Sequence, residues 1–269
     1  MAEELAKMKP QVYKDPRPPE YFERFYERPA RRRPDWVYEL VRIVLTPYLV
    51  FVFRARCIDS DKIPTEGPVI VAPNHFSFLD HFFVAVYMRR KVHFMAKSQL
   101  FKRPMQFIYT HGGVFPVRRG HRDEKSFATA DTILGRGDLI VMYAEGGRSR
   151  TGELGEAKPG VGKLALETGV PVVPSAIVGT ERARNWKRLQ FPKVTVQYGD
   201  PIRFERVEGE VSREQAQAAS DVVFNEIKAL HDGLRAANGR KKAIEAARSA
   251  RRATGQAAEA ATRTADPAR

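Results

Sequence analysis

Residues 69–80 read Val-Ile-Val-Ala-Pro-Asn-His-Phe-Ser-Phe-Leu-Asp and contain a short apolar run, a break and a polar turn. The apolar run at 69–72 is typical of a buried strand. Pro73 disfavours a helix through this point, and His75 follows it within two residues. Asp80 begins an apolar pattern with helical spacing. The stretch therefore predicts a strand, a turn and a helix, in that order.

The same alternation of strand-like and helix-like patterns continues along most of the chain. The run at 139–143 is apolar throughout, as in strands that are covered on both faces. Gly169 follows a predicted helix and is expected at its C-terminal end. The order predicts an α/β domain with a mostly parallel sheet flanked by helices. Further strands are predicted at 92–96, 113–117, 172–178 and 194–198, and further helices at 100–108, 123–134, 160–168 and 211–237.

Length and composition indicate the domain organisation. The 269 residues suit one α/β domain with appendages or two small domains, and the net charge is +14. We predict a poorly packed basic leader at 1–34, an α/β domain at 57–238 and a basic Ala/Arg-rich disordered tail at 239–269. The charged N-terminus predicts no secretory signal. Cys57 is the only cysteine, so an intrachain disulfide is excluded, which fits a reducing compartment.

Residues 35–56, between the leader and the domain, predict two helical stretches separated by Pro47. The uncharged part, 43–53, has 11 residues and is too short to span a bilayer. Trp36 and Tyr48 would lie at headgroup depth if this amphipathic segment lay in the membrane interface. The alternative is a helix pair that covers the sheet as part of the core. We favour membrane contact because basic residues flank the segment.

His75 and Asp80 are the first candidates for chemistry. An imidazole titrates near neutral pH, and a carboxylate on one ring nitrogen leaves the other nitrogen to take a proton. Five residues of helix correspond to about 500° of rotation, so the two side chains can meet only if His75 precedes the helix. The alternative is structural, because Ser77 and Asp80 also match a capping box and His75 could be a buried histidine bonded to the backbone.

Two further blocks could bind a ligand. Residues 112–120 end an extended segment with Arg118 and Arg119, whose guanidinium groups suit phosphate recognition. Residues 143–150, Tyr-Ala-Glu-Gly-Gly-Arg-Ser-Arg, follow the most apolar strand, and ligands bind at the carboxyl ends of strands in open α/β sheets. The alternative for residues 112–120 is a solvent-exposed turn with ordinary surface arginines, and the alternative for residues 143–150 is a glycine turn with a surface ion pair. A fourth block, 169–177, reads as a strand alone.

The order and spacing of these four blocks resemble the glycerolipid acyltransferase family that includes 1-acyl-glycerol-3-phosphate acyltransferases. That family carries Asn-His-x-x-x-x-Asp, Gly-x-x-Phe-x-x-Arg, Pro-Glu-Gly-Thr-Arg-Ser and Val-Pro-Val-x-Pro blocks, and residues 63–180 match them. Two positions depart from the family pattern: Ala144 replaces the usual proline and Gly147 replaces the usual threonine. Acceptor contacts at this turn are therefore expected to differ.

The resemblance implies a catalytic role for two residues. His75 would be the general base that takes the proton from an acceptor hydroxyl, and Asp80 would orient its imidazole. The hydroxyl would attack an acyl thioester directly, without a serine or cysteine nucleophile. His81 and His93 match no position of these blocks and are interpreted as structural.

The resemblance also implies substrates. Arg118 would bind the acceptor phosphate, and Glu145, Gly146 and Arg148 would shape the same pocket. The leading interpretation is an O-acyltransferase that forms phosphatidic acid from 1-acyl-sn-glycerol-3-phosphate, with acyl-CoA or acyl carrier protein as the donor. The alternative acceptors are glycerol 3-phosphate and another lysophospholipid.

Partners and location follow from the same interpretation. We expect contact with membrane lipids and a peripheral or monotopic location on the cytoplasmic face of a cell membrane, with no metal and no cofactor beyond the acyl donor. The oligomeric state stays open. A nucleic-acid-binding protein is a distant alternative that rests on the basic charge, because no stacking motif, zinc spacing or basic recognition helix is present.

Overall fold

The computed structural model describes residues 15–118, 123–149, 151–184 and 191–237. Its strands are β1 (Arg56–Ile58), β2 (Val69–Pro73), β3 (Val92–Lys97), β4 (Val114–Val117), β5 (Leu139–Val141), β6 (Val172–Val178) and β7 (Thr195–Tyr198). Its α-helices are α1 (Glu23–Arg31), α2 (Trp36–Pro47), α3 (Asp80–Ala85), α4 (Met105–His111), α5 (Glu124–Gly135), α6 (Gly160–Thr168) and α7 (Arg213–Ala236). Short 3-10 helices lie at Pro19–Phe22, Ser60–Lys62, Ser98–Leu100 and Arg182–Arg184, and a π-helical turn lies at Tyr48–Val52.

Within the described residues the strands form one seven-stranded sheet in the order β1-β7-β6-β2-β5-β3-β4. All neighbouring strands are parallel except β6 and β7, which are antiparallel. The prediction of an α/β domain with a mostly parallel sheet flanked by helices is therefore confirmed. Strand β2 lies at the centre, so its carboxyl end is enclosed by the chain that follows β5 and β6.

Different helices cover the two faces of the sheet, because successive strand residues point to opposite faces. In β2, Val69 and Val71 pack with residues from α2 and α3. Ile70 and Ala72 pack with residues from α5, α6 and α7. All four side chains are buried, as the apolar run predicts for a strand covered on both faces.

The prediction of a poorly packed leader at 1–34 is wrong for its described part. The turn before α1 and α1 itself bury Phe22, Phe25 and Tyr26, which form a cluster with Phe101. Phe25 and Tyr26 follow Phe22 by three and four positions, so both lie on the same side of the helical segment as Phe22. The charged residues between them make the segment look like a solvated extension when only composition is considered.

A buried carboxylate links the end of this segment to the amino end of β5. Arg33 Nε donates to Asp138 Oδ1 at 2.7 Å, and Arg136 Nε donates to Asp138 Oδ2 at 2.7 Å. Burial alone would raise the pKa of Asp138, but interactions with His93, Arg136 and Arg33 outweigh burial and lower the pKa to about 2. The N-terminal segment is therefore part of the folded domain.

Most of the segment 35–56 is helical, as predicted, because α2 continues into the π-helical turn at Tyr48–Val52. Its inner face buries Tyr38, Leu49 and Phe53 in the core. The segment therefore covers the sheet, yet its outer apolar face is exposed, and membrane contact stays a prediction. Among the described residues, no helix combines the length and the apolar character needed to cross a bilayer. The outer apolar face consists of Trp36, Leu40, Ile43, Val44, Tyr48 and Phe51, which are 44% to 79% exposed.

Other elements differ from prediction for local reasons. The helix predicted at 100–108 begins at Met105 instead, because Pro104 lacks an N–H and fits only the start of a helix. Strand β1 is not predicted, since its three residues are too few to show a period. The tail predicted at 239–269 lies outside the described residues.

Gly162 allows α6 and α7 to approach closely. Adding one methyl group at this position should therefore destabilise the fold. A Cβ at this position would lie 2.1 Å from the carbonyl oxygen of Ala216. We expect Gly162→Ala to lower the free energy of unfolding by about 1–3 kcal/mol, measured by urea denaturation. Gly233→Ala on α7 is the matched control, since open space surrounds Gly233 and the substitution should raise stability by ~0.5–1 kcal/mol. Equal effects of the two substitutions would contradict this packing.

Candidate active site

Asn74 fixes the turn after β2 to the neighbouring strand β6. Its Oδ1 accepts from the Ile177 N–H at 2.7 Å, and its Nδ2 donates to the Ile177 carbonyl oxygen at 3.1 Å. The side-chain amide therefore continues the pairing of the two strands beyond Pro73, where the main-chain pairing of β2 ends. This contact keeps the turn at the carboxyl end of the sheet.

His75 lies in this turn and precedes α3, so it can meet Asp80. His75 Nδ1 and Asp80 Oδ2 are 2.8 Å apart, and both side chains are buried. Because the carboxylate oxygen accepts in this contact, Nδ1 carries the proton and Nε2 is the ring nitrogen that can take one.

Asp80 also organises the main chain of the turn. Its Oδ2 accepts from the N–H groups of Phe76 and Ser77, each at 2.7 Å. Ser77 Oγ accepts from the Leu79 N–H at 3.2 Å. Only half of the predicted capping box forms: Asp80 accepts from the Ser77 N–H, but Ser77 Oγ does not accept from the Asp80 N–H, and the residue before the helix is Leu79.

The loop after β5 holds the main chain of His75 from a second direction. Glu145 Oε1 accepts from the His75 N–H at 2.9 Å, and the Ser149 N–H donates to the His75 carbonyl oxygen at 2.8 Å. Glu145 Oε2 accepts from the Gly155 N–H at 2.9 Å. Burial raises the pKa of the Glu145 carboxyl, and the two N–H donors oppose this effect. Both carboxylate oxygens of Glu145 therefore contact the main chain of the site.

Two rings contact the imidazole of His75. Tyr143 stacks on it with ring centroids 3.8 Å apart and an angle of 19° between the planes. His81 meets it edge to face, with centroids 5.3 Å apart. Burial lowers the pKa of His81 to about 4, and the charges of His75 and Arg148 act in the same direction. His81 is therefore neutral at pH 7.

Gly146 and Arg148 lie on the same loop as Glu145. Gly146 has a φ of +63°, a left-handed conformation that favours glycine and lets the chain turn directly after the strand. Arg148 lies close enough to His81 to lower the pKa of that histidine. Arg150, at the end of this block, lies outside the described residues. The predicted binding roles of Gly146, Arg148 and Glu145 stay predictions.

Arg118 lies at the same edge of the sheet but farther from His75. It follows β4, which is three strand spacings from β2, or about 14 Å. Its guanidinium group is 3.5 Å from the carbonyl oxygen of Arg17 and 5.7 Å from the ring centroid of Phe22. Arg119 lies outside the described residues. The phosphate-binding role of Arg118 stays a prediction.

An apolar cavity of about 190 Å³ lies near the turn that holds His75. Helices α2, α3 and α4 and strands β3 and β4 contribute its walls, which include Leu45 and Val86. Phe78 and His81 also line it, and His81 contacts the ring of His75. The ring of His81 therefore lies between the cavity and the imidazole of His75, which does not itself line the cavity.

Tyr143 and Asn74 lie within the sequence blocks, but their residue types and spacing do not predict a role for either residue in the site. The available signal is position alone, because each follows the end of a buried strand at the ligand-binding edge of a parallel sheet. In the part of the chain that the structure describes, no group of three or more His, Cys, Asp and Glu side chains could hold a metal ion.

Comparison with known proteins identifies the domain. Residues 54–178 match the family model described as Acyltransferase. A chloroplastic 1-acyl-sn-glycerol-3-phosphate acyltransferase of Brassica napus, BAT2, is 31% identical over 126 residues, which is 45% of this chain and 36% of that protein. A probable 1-acyl-sn-glycerol-3-phosphate acyltransferase of Mycoplasma genitalium is 31% identical over 163 residues, which is 58% of this chain and 59% of that protein.

A solved structure has the same fold. PlsC, a 1-acyl-sn-glycerophosphate (LPA) acyltransferase from Thermotoga maritima, matches with a TM-score of 0.52 and 22% identity over 78% of this chain and 88% of that chain. The matched region thus contains an acyltransferase domain. Residues 54–178 are thus similar to acyltransferase domains, and the matches span 36% and 59% of the two curated relatives named above.

The two contacts of Glu145 predict a stability effect that does not depend on any substrate. Glu145→Gln keeps an oxygen for the His75 N–H but places an amide donor against the Gly155 N–H. Because the Gly155 N–H then loses a charged acceptor, we expect the free energy of unfolding to fall by about 1–3 kcal/mol, measured by urea denaturation. Glu156→Gln, at an exposed position on the same loop, is the control and should have little effect. Equal stability of the two variants would show that the hydrogen bonds of Glu145 to the main chain do not stabilise the fold.

Proposed function

We propose that this protein is an O-acyltransferase that transfers a fatty acyl group from an acyl thioester to the free hydroxyl of 1-acyl-sn-glycerol-3-phosphate. The product is phosphatidic acid. The observation that carries the proposal is the 2.8 Å contact between His75 Nδ1 and Asp80 Oδ2 at the carboxyl end of β2. The acyltransferase relatives support the same chemistry.

The proposed reaction uses one general base and no covalent enzyme intermediate. His75 Nε2 takes the proton of the acceptor hydroxyl while the hydroxyl oxygen attacks the thioester carbonyl carbon. The tetrahedral intermediate then expels the sulfur of the donor, and the imidazolium returns the proton to that sulfur. Burial raises the pKa of the Cys57 thiol to about 12, which argues against a cysteine nucleophile.

The apolar cavity supports a fatty acyl group as the part of the substrate that is transferred. Its lining is apolar around α2, α3 and α4, and a hydrocarbon chain would gain free energy by leaving water for this space. Because His81 lines the cavity and contacts the ring of His75, we propose that a chain in the cavity has its thioester at the His81 end, beside His75. The proposed donor is a fatty acyl thioester of coenzyme A or of acyl carrier protein, and the proposed reaction uses no further cofactor.

We propose that the arginines of the carboxyl edge attract the acceptor phosphate. Arg148 lies on the loop beside His81, and Arg118 lies farther along the same edge. Guanidinium groups suit phosphate oxygens because they offer paired donors and a permanent charge. Glycerol 3-phosphate and other lysophospholipids are the alternative acceptors, since Gly147 replaces the threonine usual at this turn.

We propose that the outer apolar face holds the enzyme on a membrane, where its lipid acceptor is found. A group of six exposed apolar side chains on one helical face is typical of an interaction surface. The basic residues Arg31, Arg32 and Arg33 precede this face in the sequence. A peripheral or monotopic location on the cytoplasmic face of the membrane follows as part of the proposal.

Replacement of His75 tests the proposed base. We expect His75→Ala to lower kcat by about 10²–10⁴-fold, because proton transfer in the transition state is lost. The measurement is acyl transfer to 1-acyl-sn-glycerol-3-phosphate, other lysophospholipids and glycerol 3-phosphate, each with coenzyme A and acyl carrier protein thioesters. Circular dichroism and thermal melting establish that the variant is folded. Retention of most activity would refute the assignment, and a preference for glycerol 3-phosphate would refute only the acceptor.

Introducing charged residues on the outer apolar face tests the proposed membrane contact. Ile43 and Phe51 are 68% and 79% exposed, so Ile43→Asp with Phe51→Asp should leave the fold intact and lower binding at least ~10-fold. Co-sedimentation with anionic phospholipid vesicles measures the bound fraction. Val222→Asp, at a 49% exposed position on α7, is the control, because α7 covers the other face of the sheet. Unchanged sedimentation of the double variant would show that this face is not the anchor.

A further inference from the structure

The ring of Tyr143 covers one face of the His75 imidazole. The two ring centroids are 3.8 Å apart and the planes differ by 19°, so the rings are stacked in parallel. Tyr143 is 8% exposed, and its side chain belongs to the core on the α2 and α3 side of the sheet. The phenol ring is therefore held in place by packing that does not involve a substrate.

A stacked aromatic ring affects the two protonation states of a histidine differently. The face of an aromatic ring is negative, so it attracts a cation that lies within about 6 Å of the ring centroid. A neutral imidazole gains only the ordinary stacking interaction. The Tyr143 ring therefore favours protonated His75 over neutral His75.

The other groups around His75 agree with this assignment. Asp80 lies at Nδ1 and stabilises a positive charge on the ring, while Glu145 contacts the main chain. His81 is neutral at pH 7, because burial lowers its pKa to about 4, and so adds no repulsion. Arg148 is a cation close enough to His81 to lower the pKa of that histidine.

We propose that Tyr143 is a positioning residue whose ring stabilises the imidazolium that His75 becomes when it takes the proton of the acceptor hydroxyl. The proposal rests on the proposed acyl transfer, in which His75 is charged between proton removal and proton return. The same stack fixes the plane of the imidazole and so directs Nε2. Asp80 stabilises the imidazolium from a position in the plane of its ring, and Tyr143 stabilises it from one face of the ring.

The ring of Tyr143, not its hydroxyl, carries this role. Among the described residues, the Tyr143 hydroxyl is buried and has no hydrogen-bond partner. A buried hydroxyl without a partner costs stability, so its removal should not weaken the fold. Tyr143→Phe is therefore the matched variant that keeps the ring and removes only the hydroxyl.

The test measures the pKa of His75 in the full-length protein. NMR titration follows the imidazole resonance, which is assigned by its loss in His75→Gln. We expect the pKa of His75 in Tyr143→Leu to be lower than in Tyr143→Phe by about 0.5 or more. Tyr143→Met is a second non-aromatic variant of similar size, and thermal melting establishes which variants are folded. An equal pKa in the aromatic variant and a folded non-aromatic variant would overturn the proposal.

The direction of the change separates this role from a purely structural one. A pocket loosened by the substitution would admit water, and hydration raises the pKa of a buried histidine. Loss of the stacked ring, in contrast, lowers the pKa of His75. A higher pKa in Tyr143→Leu would therefore overturn the proposal as well.

Kinetics provide the second readout. We expect kcat of Tyr143→Leu to be about threefold or more below that of Tyr143→Phe, with the acceptor KM unchanged. A higher KM with an unchanged kcat would mean that the ring contacts substrate instead. If the parent protein showed no acyl transfer, the proposed function would fail, whereas the NMR titration would still decide whether Tyr143 favours the charged imidazole.

Discussion

The Asp80 carboxylate holds the turn on which the candidate site depends. One oxygen of Asp80 contacts the imidazole of His75 and the N–H groups of Phe76 and Ser77. The turn therefore cannot shift without breaking the contact that orients the ring. A side chain at the first residue of α3 can do this because the chain reverses between β2 and the helix.

The order of the strands provides the second set of restraints. Because β6 and β5 flank β2, the chain near their carboxyl ends meets the turn from both sides. Asn74 bonds to Ile177 on the β6 side, and Glu145 bonds to the His75 N–H on the β5 side. The imidazole is thus fixed through its ring and through its main chain, which suits a base that must meet a hydroxyl at one nitrogen.

The N-terminal segment shows where sequence patterns failed and why. Its aromatic residues are separated by charged ones, so composition predicted a solvated leader where α1 in fact packs on the domain. Most of the segment 35–56 is helical, as its long apolar pattern predicts, although the helical part ends at Val52 and β1 begins at Arg56. The core-helix alternative describes the buried side of that segment, which covers the sheet, while the other side is exposed and its membrane contact stays a prediction.

The sequence by itself determined the elements with a clear period and the residue types that suit acyl transfer. The predicted bounds of α6 and β6 agree with the structure, because apolar periodicity and the final Gly169 are local signals. Only the tertiary structure decided the partners of each side chain in the site. Asn74 and Ile177 are 103 residues apart, and His75 and Glu145 are 70 apart. Such contacts depend on which strands are neighbours, and the spacing of residues along the chain does not contain that information.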